Sequence, residues 1–162
     1  MATLLQLDQA GVLDRIDPGL ERGTMEVRLI YALPRLRDWL EGPVHDLQSH
    51  LEQSPAEQVA TIIEDFCSGA TLVIGPHLNM LDHVDGGMWK LKTYDTRIFG
   101  WFAKRDVFVG VCGHSTTHVK QHGLYHGIAG EVGRARDALD LDPPKFIPGD
   151  SPYGVVSNYS FP

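Results

Sequence analysis

The chain has 162 residues, of which 43% are hydrophobic and 22% are charged, and its formal net charge at pH 7 is −7. A chain of this length buries one core, and this composition excludes a collagen, a long coiled coil and a wholly disordered protein. No apolar stretch approaches the roughly 18 residues that a membrane helix needs, and acidic residues replace the basic start of a signal peptide. We therefore expect a cytoplasmic protein with one domain over residues 1–162.

The first half of the chain predicts one strand and several helices. Residues 1–24 are expected to form a leader of one short helix and a loop, and residues 25–33 a strand. Apolar residues at helical spacing predict two short helices between residues 36 and 51. The clearest start signal is Ser54 followed by Pro55 and Glu57, which predicts a capped helix that ends at Gly69.

From residue 88 onward the apolar pattern changes to that of strands. Residues 88–92, 96–102 and 107–113 predict three strands, the last two joined by a four-residue hairpin loop. If Phe102 pairs with Val107, Ile98 and the valines form the core face and Arg97 lies on the opposite face. A closing helix is expected over residues 118–140, and the proline-rich tail 143–162 is expected to be extended or disordered.

The charge is unevenly distributed along the chain. Residues 86–136 contain eight basic and three acidic residues, which gives this stretch +5 and leaves −12 for the remainder. A cationic stretch in an acidic protein indicates where a polyanion would bind.

Lys90 and Lys92 are the first candidates for such a role. They alternate with Trp89 and Leu91, so both ammonium groups project from one face of the predicted strand. Clustered lysines lower one another's pKa, which favours proton transfer, and the guanidinium of Arg97 suits a phosphate. The alternative is that all three are ordinary solvated charges on a half-exposed sheet.

Histidines recur at every fourth position at His114, His118, His122 and His126. Three interpretations remain open: a solvated polar face, His114 or His118 as a general acid or base, or a zinc site. No cysteine or carboxylate lies among these histidines, so a third zinc ligand is hard to supply and no metal ligand is named. The two cysteines, Cys67 and Cys112, are expected to be buried thiols.

Two short segments and the strand that follows them resemble a known pattern. In the first strand of this pattern, an aromatic residue is followed by a polar residue, a leucine and a basic residue. An arginine begins the second strand, which is rich in aromatic residues. The third strand is apolar and ends in glycine before a polar loop. Residues 74–139 resemble the RelE-like toxin superfamily, and within it the phage-derived HigB-like proteins, through the segments Trp89-Lys90-Leu91-Lys92, Arg97-Ile98-Phe99-Gly100-Trp101-Phe102 and Val107-Phe108-Val109-Gly110-Val111-Cys112-Gly113.

The resemblance implies an α+β fold in which a twisted antiparallel sheet has helices packed on one face, here with an N-terminal helical extension and a core over residues 25–142. The other face would be concave and basic, and would cleave messenger RNA on the ribosome by attack of a 2′-hydroxyl on the adjacent phosphate. This reaction needs no metal or other cofactor. The implied partners are messenger RNA, the ribosome and a small antitoxin protein, with no membrane; a homodimer is left open.

The same resemblance assigns roles to particular residues. Lys90, Lys92 and Arg97 would bind the phosphate and stabilise the charge of the transition state. His114 or His118 would transfer protons, and Tyr125 would stack on a base. Further substrate contacts are expected from Lys104, Arg105 and Lys120.

The chain is longer and more acidic than members of this superfamily usually are, and its last loop has histidines where the superfamily often has lysine or arginine. Two rival functions therefore stay open. One is a non-catalytic phage or prophage interaction module that binds a protein through the same sheet. The other is a histidine metal-binding protein.

Overall fold

The computed structural model describes residues 1–81 and 86–162. Within them the helices are α1 (Leu4–Gln9), α2 (Pro34–Glu41), α3 (Pro43–Asp46), α4 (Pro55–Ser68), α5 (Thr116–His122), α6 (Tyr125–Ala138) and α7 (Pro152–Val155). The strands are β1 (Asp14–Arg15), β2 (Leu29–Ala32), β3 (Leu72–Val73), β4 (Leu78–Met80), β5 (Met88–Lys92), β6 (Thr96–Lys104), β7 (Val107–Ser115) and β8 (Tyr159–Ser160).

Six strands form one sheet in the order β1-β2-β7-β6-β5-β4, and β3 pairs with β8 in a small second sheet. The large sheet is mixed, because β2 runs parallel to β7 while the other neighbouring strands are antiparallel. A parallel neighbour needs a long crossover, and the segment from α2 onward supplies it. The α+β class is confirmed, whereas the expectation of a wholly antiparallel sheet is wrong.

Helices cover both faces of this sheet. On one face α1, α5 and α6 pack against Phe99, Trp101 and Val109, and on the other α2, α3 and α4 pack against Ile98, Phe102 and Phe108. The expectation of helices on one face only is therefore wrong. The physical reason lies in β6, whose residues from Thr96 to Ala103 are all buried, so that both of its faces need apolar cover.

The hairpin between β6 and β7 has a different register from the one predicted. Its turn consists of Arg105 and Asp106, with Asp106 at φ 65°, and Phe102 pairs with Phe108 instead of Val107. Two register shifts interrupt the ladder, one between Phe99 and Gly100 and one between Phe102 and Lys104. Because each extra residue reverses the side-chain alternation, the valines of β7 join the face of Trp101 and not that of Ile98.

Several local predictions are confirmed. The two short helices form as α2 and α3, and α4 begins where expected, with Ser54 Oγ accepting the backbone N–H of Glu57 at 3.1 Å. Gly69 ends α4 in the left-handed conformation at φ 83°. Strand β5 has the predicted bounds. Both Cys67 and Cys112 are free and buried.

The predicted closing helix consists of two helices. Gly123 ends α5 with φ 57°, a conformation that a continuous helix does not allow, and α6 begins at Tyr125. The apolar residues Leu124, Ile128 and Val132 nevertheless pack against the sheet as the spacing predicted.

The leader and the tail both belong to the fold instead of flanking it. Strand β1 pairs with β2, and Leu7 of α1 is buried in the core. The tail, residues 143–162, contains α7 and the two-residue strand β8, and its remaining residues lie outside helices and strands. Its anchor is Arg28, which is 0% exposed and donates hydrogen bonds to backbone carbonyls of α4, of the segment that follows it, and of the tail at Ser157 and Asn158.

None of the helices in the described residues has both the length and the apolar composition needed to cross a bilayer.

Candidate functional site

The predicted cations align across the sheet. Lys92 of β5 pairs with Arg97 of β6, and Arg97 pairs in turn with His114 of β7. Directly opposite residues in an antiparallel ladder share a face, and Lys90 lies two residues from Lys92 on that same face. The sheet therefore presents Lys90, Lys92, Arg97 and His114 on one side, the side that α5 and α6 cover.

Because these helices lie over the sheet, the predicted residues are divided among separate clefts. The largest has a volume of about 710 Å³ and lies where the β5–β6 turn meets α5. We call it the cation cleft, and its lining is His50, Pro76, His77, Lys92, Thr93, Tyr94, Asp95, Arg97, Thr116, Thr117, Lys120 and Gln121.

Three cations meet at this cleft. Burial lowers the pKa of Lys92, and the positive charges of Arg97 and Lys120 lower it further. Arg97 is only 7% exposed; its Nη1 donates to the carbonyls of Thr93 and Thr96, while its buried Nε has no hydrogen-bond partner within the described part of the chain. None of the salt bridges among the described residues involves these three cations. The cleft therefore has an excess of positive charge.

Asp95 is the only carboxylate among the described residues that line the cleft. The side chains that donate hydrogen bonds to this carboxylate are uncharged. Its Oδ2 accepts hydrogen bonds from Ser49 Oγ and from Gln58 Nε2, the latter at 2.6 Å. The amide of Gln58 also accepts the backbone N–H of Asp95 at 3.1 Å. Asp95 therefore fixes the β5–β6 turn against α4 and does not pair with the cations.

An aromatic residue and two histidines at the cleft were not foreseen from the sequence. Tyr94 is 62% exposed, and the ring of His50 meets it edge to face with the ring centroids 5.7 Å apart. His77 Nδ1 accepts the backbone N–H of Val73 at 2.9 Å, which leaves the proton of the neutral ring on Nε2. The position of Tyr94 between Lys92 and Arg97 was a usable signal, whereas nothing in the sequence links His50 and His77 to this turn.

Lys90 and Tyr125 lie together in a second cleft, beside Asn79, Met80 and His126. The Lys90 ammonium lies 4.4 Å from the centroid of the Tyr125 ring, a cation–π contact. The same ring packs at 6.1 Å from Phe99. Tyr125 is thus engaged by side chains of the sheet, and it lies outside the lining of the cation cleft.

His114 and His118 line a third cleft with Arg35, Asp38 and Trp39. Their rings stack at 6.0 Å between centroids, and the ring of His118 lies 4.9 Å from that of His122. His114 belongs to β7 and not to the helix of the other histidines. Burial lowers its pKa, and so does the cation of Arg35.

The remaining predicted contacts lie at the far end of β6. Lys104 is exposed, and Arg105 donates its Nε–H to the carbonyl of Tyr153 at 3.1 Å while packing on that ring. Seven residues of strand separate Lys104 from Arg97, roughly 23 Å at 3.3 Å per residue. Of the three predicted substrate contacts, the structure places only Lys120 in the cation cleft.

Comparison of the chain with protein-family models, with curated proteins and with solved structures finds no match.

Proposed function

We propose that the chain is a toxin-like endoribonuclease of the RelE-like class that binds the backbone of messenger RNA in the cation cleft. The observation that supports this most directly is the almost fully buried Arg97, whose Nε has no partner within the described residues and which lies beside Lys92 and Lys120. The chain order of strand, helices, three-strand meander and closing helices also agrees with the order on which the resemblance rests.

A polyanion is the ligand that this electrostatic arrangement favours. Burying a guanidinium without a counter-ion is unfavourable, and two further cations nearby increase the cost. Successive backbone phosphates, one beside each of Lys92, Arg97 and Lys120, would supply both the missing charge and acceptors for the unused N–H groups. RNA offers such a phosphate at every nucleotide, together with a base that can stack on the exposed ring of Tyr94.

The cleft contains the groups that metal-independent cleavage requires. The attacking 2′-hydroxyl gives its proton to Lys92, whose lowered pKa increases the fraction of neutral amine at neutral pH. A bond forms between the 2′-oxygen and phosphorus while the bond from phosphorus to the 5′-oxygen breaks, and Arg97 and Lys120 stabilise the developing charge. The leaving 5′-oxygen takes a proton from water. The products are a 2′,3′-cyclic phosphate and a 5′-hydroxyl.

In this proposal, two of the roles belong to other residues than those expected from the sequence. Tyr94 takes the stacking role that was expected of Tyr125, because Tyr94 is exposed at the cleft. His114 and His118 take no part in proton transfer in this proposal, because those two histidines line a different cleft. Recognition of the ribosome, inhibition by a small antitoxin protein and residence in the cytoplasm belong to the proposal through the resemblance.

The test is cleavage of a labelled messenger with and without translating ribosomes, scored by the 2′,3′-cyclic phosphate on the product. We expect cleavage to persist when magnesium is omitted from the assay without ribosomes, and Lys92→Ala to reduce its rate by about 10²- to 10⁴-fold. The matched control is Lys104→Ala, which removes the same charge from an exposed site at the other end of β6.

Three outcomes separate the candidate functions. Cleavage that survives Lys92→Ala contradicts the proposed mechanism. Binding of RNA without any cleavage would instead favour a non-catalytic module. Absence of both would refute the assignment of the cleft. In cells, induced expression should arrest growth, and co-expression of a cognate antitoxin should restore it.

A further inference from the structure

Three side chains with metal-binding atoms converge between β7 and α6, outside the cation cleft. Cys112 and His114 are two residues apart on β7 and therefore share a face, and Glu131 reaches them from α6. The Cys112 sulfur, a ring nitrogen of His114 and a carboxylate oxygen of Glu131 all lie within 4.8 Å of one another.

The polar atoms of this cluster are incompletely satisfied. Nε2 of His114 is buried and has no hydrogen-bond partner among residues 1–81 and 86–162. Cys112 is 1% exposed, its sulfur lies within 4.8 Å of the other two donor atoms, and its thiol is hydrogen-bonded to Glu131. Glu131 is held from the other side by Arg35, whose Nη1 lies 2.6 Å from Oε2. A buried imidazole nitrogen without a partner, next to a thiol and a carboxylate, points to an absent ligand.

We propose that Cys112, His114 and Glu131 bind one Zn²⁺ ion. Thiolate, imidazole and carboxylate are together the donor set that zinc accepts, whereas Mg²⁺ and Ca²⁺ bind oxygen ligands almost alone. Zinc bonds of about 2.0–2.3 Å in a tetrahedral site place the ligand atoms roughly 3.3–3.7 Å apart. Side-chain rotation that closes the cluster by about 1 Å brings the three donors to this spacing. The thiol proton passes to solvent when the Zn–S bond forms.

The surroundings supply the remaining requirements of a metal site. The third cleft, with a volume of about 470 Å³, is lined by His114 and by His118 and gives an entry path and room for a water as fourth ligand. Arg35 acts as a positioning residue, because its ion pair orients the carboxylate of Glu131 toward β7.

The expected consequence is a cross-link between β7 and α6. This helix contains Gly127, Gly130 and Gly133 in its interior and has no side-chain cap at its N-terminus, so it is weakly stabilised by local interactions. A metal ion that joins α6 to the sheet would offset that weakness. The site goes beyond the proposed RNA cleavage, which uses other residues.

The experiment measures metal binding by protein purified without an affinity tag. We expect about one zinc ion per chain after dialysis against zinc and then buffer, and a thiolate-to-metal charge-transfer band when Co²⁺ replaces zinc. Cys112→Ser should abolish that band, and Glu131→Gln should weaken zinc affinity at least 10-fold. The matched controls are Cys67→Ser, which alters the other buried free thiol, and His118→Ala, which alters a neighbouring exposed histidine.

The proposal is overturned if the wild-type chain retains no zinc, or if the Co²⁺ complex lacks the thiolate band. It is also overturned if zinc binding survives both Cys112→Ser and Glu131→Gln, and its loss in His118→Ala would then identify the exposed histidines as the ligands. Circular dichroism shows whether Cys112→Ser is folded. If it is not, Glu131→Gln decides, because Glu131 is 34% exposed and its amide has nearly the same shape.

Discussion

The salt dependence of RNA binding tests the cation cleft most directly, and Lys120→Ala is the informative change. Lys120 is exposed on α5, so its loss leaves the core intact. If Lys92, Arg97 and Lys120 each neutralise one phosphate of single-stranded RNA, binding releases counter-ions with a slope of log K against log salt of about −0.7 per phosphate. The slope is then about −2.1 for the wild type and about −1.4 for Lys120→Ala.

These slopes give measurable differences in affinity. Between 50 and 200 mM salt, the wild-type affinity should fall about 18-fold and that of Lys120→Ala about 7-fold. Fluorescence anisotropy of a labelled oligonucleotide over a sodium chloride series measures both, under conditions where cleavage is blocked by a 2′-deoxy substitution. In a parallel variant, Tyr94→Ala should weaken binding by about 1–3 kcal/mol without changing the slope, because stacking releases no counter-ions.

The control again is Lys104→Ala, which changes the net charge by the same amount far from the cleft. An equal decrease of the slope in Lys104→Ala and Lys120→Ala would show that RNA responds to the overall charge and not to the cleft. An unchanged slope in Lys120→Ala would remove this residue from the interface and refute the reasoning.

Three further predictions concern stability. Arg28→Met should lower the free energy of unfolding by about 3–5 kcal/mol in urea titrations, because it leaves Asp106 and the carbonyls of Ser157 and Asn158 without their buried partner. A loss below about 1 kcal/mol would contradict the role of Arg28 as the anchor of the tail. The pKa of Lys92 is lower in the folded than in the unfolded chain, so the unfolded state binds its proton more tightly and the free energy of unfolding should rise with pH toward 10.5. Lys92→Met should remove this rise and raise the melting temperature at neutral pH. An identical pH profile for the variant would argue against the lowered pKa. Gly127→Ala should stabilise α6 by up to about 1 kcal/mol, since a methyl group there meets no atom within 4 Å. Gly123→Ala should destabilise the protein by about 1–2 kcal/mol, because Gly123 has φ 57°. Thermal unfolding should show a higher melting temperature for the first variant and a lower one for the second.

The local elements were predictable because their determinants lie within a few residues of one another. Ser54 and Glu57 form the cap of α4 within one turn, and Gly69 ends the same helix by its own conformational freedom. The alternation of Lys90 and Lys92 with apolar residues likewise fixed which side chains share a face of β5.

Pairing and layering were decided by interactions between distant segments. The register of β7 depends on two bulges that the hydrophobic alternation does not encode, and the parallel pairing of β2 with β7 spans 78 positions from Leu29 to Val107. The face of β6 that carries Arg97, Phe99 and Trp101 was expected to lie opposite the core face, yet it is equally buried because α5 and α6 pack against it.

The candidate sites show the same division. The sequence by itself determined that cations cluster in the segment from Lys90 to Arg97. Only the tertiary structure placed His77 and Tyr94 beside those cations, and only it brought Glu131 of α6 to Cys112 and His114. Chemistry at a point in space depends on groups that packing brings together, whereas sequence patterns report the preferences of one segment at a time.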